Sequence, residues 1–174
     1  MQNIIEKAKK LKLLILDVDG VLTDGRLFFD DNGKEYKTFH ARDGHGIKLL
    51  RQTGVEVAVI SGRRSNSVAL RMKSLGVEYV YQGHENKIAA FNEIIQSLAI
   101  SPEQAAHVGD DLLDLPVMTR VGLSIAVNDA NDAVKEYADW CTATSGGLGA
   151  VREVCDFIMQ AQGTFEGVLE SYMQ

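Results

Sequence analysis

The feature that most constrains the fold is a short apolar run near the N-terminus that ends in two acidic residues. The run LKLLILDVD, residues 11–19, has the length of one β-strand and is typical of a strand buried on both faces. Asp17 and Asp19 stand one residue apart at its end. Two carboxylates this close repel each other unless a positive group compensates for their charge. The sequence therefore predicts a buried strand that delivers an acidic pair to one edge of a sheet.

Further apolar runs of strand length alternate with amphipathic segments. The runs are residues 55–62, 105–111 and 122–129, with a short one near 140–142. Helical periodicity falls between them, at residues 44–52, 65–75, 87–98, 112–119 and 130–138. Gly54 and Gly76 stand where helix C-caps are expected. This alternation predicts an α/β fold with a parallel, Rossmann-like sheet flanked by helices. The chain shows no linker or repeat, so one domain spanning residues 1–174 is expected.

One segment interrupts the alternation. Two β-rich arms, Arg26 to Phe29 and Glu35 to Phe39, surround the turn DDNG. We expect a β-hairpin over residues 25–39 that projects just after the acidic pair. Its aromatic side chains alternate too imperfectly to hide on one face, which predicts that other hairpins cover them.

Composition excludes several function classes. With 45% hydrophobic and 24% charged residues in 174, the chain is typical of a globular protein without a membrane span. The N-terminus does not resemble a signal peptide. A net charge of −6 argues against nucleic-acid partners. Cys141 and Cys155 lack metal-type spacing, so we interpret both as reduced thiols of a cytoplasmic protein.

Polar side chains follow three of the apolar runs, and ligands bind beyond the carboxyl ends of parallel strands. One aspartate before a turn glycine is usually a cap, and one lysine is usually a solvated charge. Their convergence at one edge instead favours a functional site. The converging residues are Asp17, Asp19, Ser61, Asp110 and Asp111, with Lys87 at the start of a following helix.

This set of residues predicts phosphoryl chemistry. Carboxylates at one point require a cation, and oxygen ligands favour Mg²⁺, held by Asp17, Asp19 and Asp110. Ser61 and Lys87 would then hold phosphoryl oxygens. One aspartate can attack phosphorus, and the second can protonate the leaving alcohol and activate water.

The motifs DVDGVLTDG, ISGR, Lys87 and GDDLLD resemble, in order, those of the haloacid-dehalogenase-like phosphatases. The resemblance implies that Asp17 is the nucleophile and that Asp19 is the acid/base, which also binds the metal through its backbone carbonyl. It implies that Asp110 is a metal ligand and that Asp111 and Asp114 are supporting acids. The gaps between the motifs leave no room for the cap domain that many members carry.

The longer segments DVDGVLTDGRL, FHARDGHGIKLL, VGDDLLDLPVM and GGLGAVREVCDFIMQAQG are similar to the capless 3-deoxy-D-manno-octulosonate (KDO) 8-phosphate phosphatases of lipopolysaccharide precursor synthesis. This implies a homotetramer in which hairpins associate and neighbouring subunits complete each site. The family usually has arginine where this chain has Leu148. The implied substrate contacts are Asp19, His40, Ala41, Arg42, Asp43, Gly44, Lys48, Arg63, Arg71 and Lys87.

Other functions remain to be separated from this one. A response-regulator receiver would place its phospho-acceptor in mid-chain and its lysine late, unlike this motif order. A non-catalytic sugar-binding module is disfavoured by the intact acidic set. A nine-carbon acidic sugar phosphate stays open as the substrate. We expect the tail, residues 164–174, to be mobile and to visit a neighbour's site, the alternative being a frayed terminus.

Overall fold

The computed structural model describes residues 2–173 and contains a parallel sheet with helices on both faces. The strands are β1 (Leu13–Leu16), β2 (Phe28–Phe29), β3 (Glu35–Tyr36), β4 (Glu56–Ser61), β5 (Tyr79–Gln82), β6 (Ala105–Gly109), β7 (Leu123–Ala126) and β8 (Trp140–Cys141). The helices are α1 (Gln2–Ala8), α2 (Ala41–Gln52), α3 (Asn66–Leu75), α4 (Lys87–Leu98), α5 (Leu115–Met118), α6 (Asp132–Tyr137), α7 (Ala150–Ala161) and α8 (Phe165–Ser171).

Strand β1 lies in the middle of a six-stranded sheet with the order β5-β4-β1-β6-β7-β8. Leu14 of β1 is in register with Val57 of β4 on one side and with Ala106 of β6 on the other. The sheet pairs are parallel. The predicted α/β architecture is confirmed, and the central position of β1 explains why its apolar run is continuous.

Successive side chains of β1 enter two separate apolar layers. Leu14 and Leu16 pack in the layer that includes α2 and α7, whereas Leu13 and Ile15 pack in the layer that includes α4. All four are fully buried. Each such side chain contributes about 1.5–3 kcal/mol relative to an exposed one. The core therefore fixes the end of β1, where the acidic pair follows.

Most predicted elements are present, with shifted ends. Helix α2 begins at Ala41 rather than Gly44, and the segment predicted as one helix over residues 112–119 is a 3₁₀ turn (Leu112–Asp114) followed by α5. Strand β5 was not predicted from the sequence, because it is a half-buried edge strand with a weak apolar pattern. The sequence analysis also assigned no helix to α1, α7 or α8.

The predicted hairpin is present and short. Phe28 pairs with Tyr36, and Phe29 pairs with Glu35. The Asp30 carboxylate closes the turn by accepting hydrogen bonds from the backbone N–H groups of Asn32 (3.0 Å) and Lys34 (2.8 Å). The hairpin projects its apolar side chains into solvent, where Phe29 is 57% exposed. No segment of residues 2–173 forms a cap domain over the strand ends.

Within the described residues, the C-terminal segment predicted as a mobile tail forms helix α8. Phe165 and Val168 of α8 pack against the core, and the Tyr172 ring meets the edge of His45 with centroids 5.7 Å apart. Among the helices within residues 2–173, none has the length and apolar character needed to cross a bilayer.

Candidate active site

The carboxyl ends of β1, β4 and β6 meet at a cavity of about 180 Å³. A larger depression, about 890 Å³, lies elsewhere and contains none of the converging aspartates. Volume alone therefore does not identify the site. The small cavity brings together Asp17, Asp19, Ser61, Gly62, Arg63, Lys87, Asp110, Asp111, Leu113 and Asp114.

Lys87 compensates for the charge of the first aspartate. Its ammonium donates to Asp17 Oδ1 at 2.5 Å and to Asp114 Oδ1 at 2.7 Å. The lysine is placed there because it is the first residue of α4, whose N-cap Asn86 accepts the Ile88 N–H. Burial opposes the charged form, but the two carboxylates outweigh it and raise the pKa of Lys87. The lysine is therefore a fixed positive charge beside Asp17.

Asp114 organises the site from behind. Its Oδ1 accepts from Lys87 and from His107 Nε2 at 2.9 Å. Its Oδ2 accepts from the backbone N–H groups of Asp110 (3.0 Å) and Asp111 (3.3 Å). Burial opposes ionisation, but His107 and Lys87 outweigh it and hold the pKa of Asp114 well below its usual range. The carboxylate is therefore occupied by four donors.

The protein compensates the ionised forms of Asp17 and Asp110 less fully than that of Asp114. Burial, together with the charge of Asp114, raises the pKa of Asp17 to about 6 despite the opposing effect of Lys87. Burial and the charges of Asp17 and Asp114 raise the pKa of Asp110 to about 8. Oxygens of these three aspartates lie within 4.8 Å of one another. Crowded carboxylate oxygens of this kind fit a hard divalent cation. Asp17 and Asp110 are the candidate ligands, because the oxygens of Asp114 are already engaged.

Gly20 leaves the space that Asp110 occupies. Its φ is +102°, and a Cβ built on it would lie 2.1 Å from Asp110 Oδ2. The loop is held by Thr23, whose Oγ1 accepts from the N–H groups of Gly20 (3.3 Å) and Gly25 (3.2 Å) and donates to the Val18 carbonyl. A glycine is required here for both its conformation and its lack of a side chain.

The hairpin contributes two charged side chains that the sequence analysis missed. Lys37 forms an ion pair with Asp19 and lies 3.1 Å from Glu35, whose other oxygen pairs with Arg63. The Lys37 side chain is only 2% exposed. The available signal was the spacing of Glu35 and Lys37, which puts both on one face of an extended arm. The charge of the second aspartate is therefore compensated mainly by Lys37 of the hairpin, and Arg63 Nε lies 4.0 Å from the other oxygen of Asp19.

Ser61 ends β4 and is almost fully buried at the cavity wall. Its Oγ accepts the backbone N–H of Arg63 at 3.2 Å. This leaves the hydroxyl hydrogen free to be donated toward a bound oxygen.

Comparison with known proteins identifies the family of this chain. A family model described as haloacid dehalogenase-like hydrolase matches residues 77–154. The 3-deoxy-D-manno-octulosonate 8-phosphate phosphatase KdsC of Escherichia coli K12 is 49% identical over 94% of this chain and 87% of that protein. The chain belongs to the 3-deoxy-D-manno-octulosonate 8-phosphate phosphatase family.

Solved structures of this phosphatase family share the fold closely. The enzyme from Yersinia pestis is 45% identical and superimposes with a TM-score of 0.94, covering 95% of this chain and 89% of that one. The enzyme from Moraxella catarrhalis, solved in complex with a magnesium ion, a phosphate ion and KDO, is 38% identical with a TM-score of 0.97 and covers 99% of both chains. The predicted membership of the haloacid-dehalogenase-like phosphatases is confirmed.

The substrate contacts implied by the phosphatase family divide into two groups in this subunit. Asp19, Arg63 and Lys87 line the cavity. The others lie along or beside α2 and do not line it: His40, Ala41, Arg42, Asp43, Gly44, Lys48 and Arg71.

Two members of that group make packing contacts within this subunit. Asp43 is 1% exposed, and its Oδ1 accepts the backbone N–H of Arg152 at 2.8 Å, so it caps α7. Gly44 is buried, and a Cβ built on it would lie 2.1 Å from Arg71 Nη2. These residues shape the packing of α2 on α7 and α3.

Leu148, at the position where the sequence resemblance implied an arginine, is 56% exposed. The adjacent Gly149 lies beside the N-terminus of α2, since a Cβ built on it would be 3.8 Å from Arg42 Nη2 and 3.9 Å from His40. Leu148 therefore precedes a residue that lies next to this basic segment, and it carries no positive charge.

Proposed function

We propose that this protein hydrolyses KDO 8-phosphate to KDO and inorganic phosphate, a step in lipopolysaccharide precursor synthesis. The observation that carries the proposal is the pairing of Asp17 with Lys87 and Asp110 in one cavity, with Asp19 held beside them. The identity to the E. coli phosphatase supports the same reaction.

In the first step, Asp17 attacks phosphorus and the bond to the sugar oxygen breaks. The leaving oxygen takes a proton from the Asp19 carboxyl, and an aspartyl-phosphate remains on Asp17. Lys87 holds Asp17 Oδ1 in place, and Ser61 donates to a phosphoryl oxygen. Asp17 is the buried member of the acidic pair, whereas Asp19 reaches the cavity mouth with its side chain 19% exposed.

In the second step, Asp19 removes a proton from water, and the resulting hydroxide attacks phosphorus. The bond to Asp17 then breaks and phosphate is released. A bound Mg²⁺, held by Asp17, Asp110 and the backbone carbonyl of Asp19, would neutralise the carboxylates and polarise the phosphoryl group. Asp111 and Asp114 support the site, Asp111 by accepting the Leu112 N–H at 2.8 Å.

The basic residues support an acidic sugar as the substrate. Arg63 is at the cavity, and Arg42, Lys48 and Arg71 are available along α2 and α3. Arginine forks pair with both carboxylates and phosphates. A panel of phosphate esters tests this: we expect the highest kcat/KM for KDO 8-phosphate. A higher value for a nine-carbon acidic sugar phosphate would replace the proposed substrate, and no turnover of any phosphate ester would overturn the function.

We also propose that the protein works as a homotetramer in the cytoplasm. Leu27, Phe28, Phe29 and Tyr36 are about half exposed on the hairpin, an apolar surface that pairing with other hairpins would bury. Neighbouring subunits would then bring α2 residues to each other's sites. Cytoplasmic location suits the free thiols of Cys141 and Cys155.

Light scattering tests the assembly. We expect a tetramer for the wild type and smaller species with a raised KM for Phe29→Asp. The matched control is Leu70→Asp, an exposed apolar residue on α3 that is 61% accessible. A monomeric wild type with normal kinetics would contradict the role assigned to the hairpin.

A further inference from the structure

A histidine lies in the core directly behind the site, in a position that ordinary packing does not explain. His107 is fully buried in the middle of β6, opposite Ile15 of β1. The apolar layer around it includes Leu13, Ile15 and Ala105. Within residues 2–173, no group hydrogen-bonds to its Nδ1. An aliphatic side chain would fill this space without leaving a buried polar atom unpaired. The reason for a histidine at this position must therefore lie in the contact that its Nε2 makes.

That contact is with Asp114. His107 Nε2 lies 2.9 Å from Asp114 Oδ1, the same oxygen that accepts from Lys87. An ionised carboxylate only accepts hydrogen bonds, so the imidazole donates to Asp114 through an Nε2–H. A carboxylate offers about four acceptor positions, and all four are used. His107 therefore supplies the fourth donor and fixes the rotation of the Asp114 carboxylate.

The orientation of the Asp114 carboxylate affects the positions of the reacting groups in two ways. Through Oδ1 it holds the Lys87 ammonium, which also bonds Asp17. Through Oδ2 it holds the backbone turn at Asp110 and Asp111. A carboxylate released from His107 can turn toward Lys87 and draw the ammonium away from the nucleophile.

We propose that His107 is a positioning residue for phosphoryl transfer: its hydrogen bond to Asp114 holds Lys87 against Asp17 and fixes the Asp110–Asp111 turn. The proposal rests on the phosphatase function proposed above. It assigns to the histidine an effect on turnover and not on substrate binding, because His107 does not line the cavity.

Two variants separate the hydrogen bond from the packing. His107→Phe keeps a flat ring but removes the donor, and we expect kcat to fall by about tenfold to a hundredfold with KM within about twofold of wild type. His107→Gln can place an amide N–H near the position of Nε2, and we expect it to recover most of the lost kcat. The control is Ile94→Ala, which opens a cavity in the same apolar layer without touching the chain of hydrogen bonds. We expect it to lower the melting temperature and leave kcat near wild type.

A second measurement keeps the test independent of the substrate. Nitrogen-15 NMR of labelled histidine and lysine in the unliganded protein should show an Nε2-protonated His107 and a slowly exchanging Lys87 ammonium. We expect the Lys87 signal to change in His107→Phe and to persist in His107→Gln and Ile94→Ala. An unchanged Lys87 signal, or a His107→Phe enzyme with wild-type kcat, would overturn the proposal. If no phosphate ester is turned over by the wild type, the proposed function fails, and the NMR result alone still decides whether the hydrogen bond positions Lys87.

Discussion

Replacing Gly20 by alanine tests two reasons for a glycine in the site loop: its positive φ and the space that Asp110 occupies. The substitution places a Cβ 2.1 Å from Asp110 Oδ2, far inside the 3.4 Å at which ordinary van der Waals contact begins. Asp110 must therefore move by about 1 Å, and misplacement of this size costs on the order of 100-fold in rate. The positive φ of +102° adds a strain of about 1–2 kcal/mol for a non-glycine residue.

The chain offers a matched control for the strain alone. Gly54 follows α2 at a similar φ of +92°, and a Cβ there would meet nothing within 4 Å. Gly54→Ala should lose about the same 1–2 kcal/mol, a fall in melting temperature of about 2–4 °C for each kcal/mol, with kcat unchanged. Gly20→Ala should lose both stability and kcat.

Steady-state kinetics at saturating Mg²⁺ and thermal melts, measured on both variants, test the reasoning. Calorimetric titration with Mg²⁺ should also show weaker binding to Gly20→Ala than to Gly54→Ala, because Asp110 is a candidate ligand. Equal kcat and equal Mg²⁺ affinity in the two variants would refute the claim that Gly20 exists to make room for Asp110.

Four further outcomes are expected. Asp17→Asn should lower kcat on the order of 10³-fold or more while keeping the fold, and retention of about a tenth of wild-type kcat would rule out covalent catalysis by this residue. Chelation with EDTA should abolish turnover, with Mg²⁺ restoring it and Ca²⁺ doing so poorly because of its looser coordination; activity in verified metal-free protein would contradict this. Lys37→Met removes the ion pair to the Asp19 carboxylate and should lower kcat, whereas Lys34→Met on the same hairpin should not. Equal kinetics in the two variants would argue against a role of Lys37 in the site. Burial opposes ionisation of Asp139, but hydrogen bonds from Lys7 and from β7 outweigh it and lower its pKa, so Asp139→Asn should cost about 1 kcal/mol at pH 7. Because the folded pKa is the lower one, that difference should shrink as the pH falls below the ordinary 3.8, and a constant difference in urea unfolding between pH 7 and pH 3 would contradict the assignment.

The sheet and the central residues of the site could be predicted from the sequence because each depends on a local pattern. A strand buried on both faces is apolar throughout, and parallel strands end at one edge. Asp17, Ser61 and Asp110 could therefore be placed together without knowledge of side-chain contacts. Lys87 followed because it starts a helix that leaves the same edge.

The remaining parts depend on contacts between segments that no local pattern encodes. Lys37 of the hairpin reaches Asp19 across 18 positions, and Asp43 reaches α7 across 109 positions. His107 is a polar residue inside an apolar run. Its contact with Asp114 could not be predicted, because it depends on the 3₁₀ turn at Leu112–Asp114, which returns Asp114 toward β6. Edge strand β5 was missed because it is only half-buried.

The hairpin arm connects the proposed subunit contact to the charged side chains beside Asp19. Extended backbone sends alternate residues to opposite faces, so Glu35 and Lys37 point toward Asp19 while Tyr36 between them points away, 47% exposed. A neighbouring subunit that binds the outer face would hold the arm in place, and with it the charged side chains beside Asp19. If the hairpins pair as proposed above, activity per subunit should rise with protein concentration and level off once the pairing is complete.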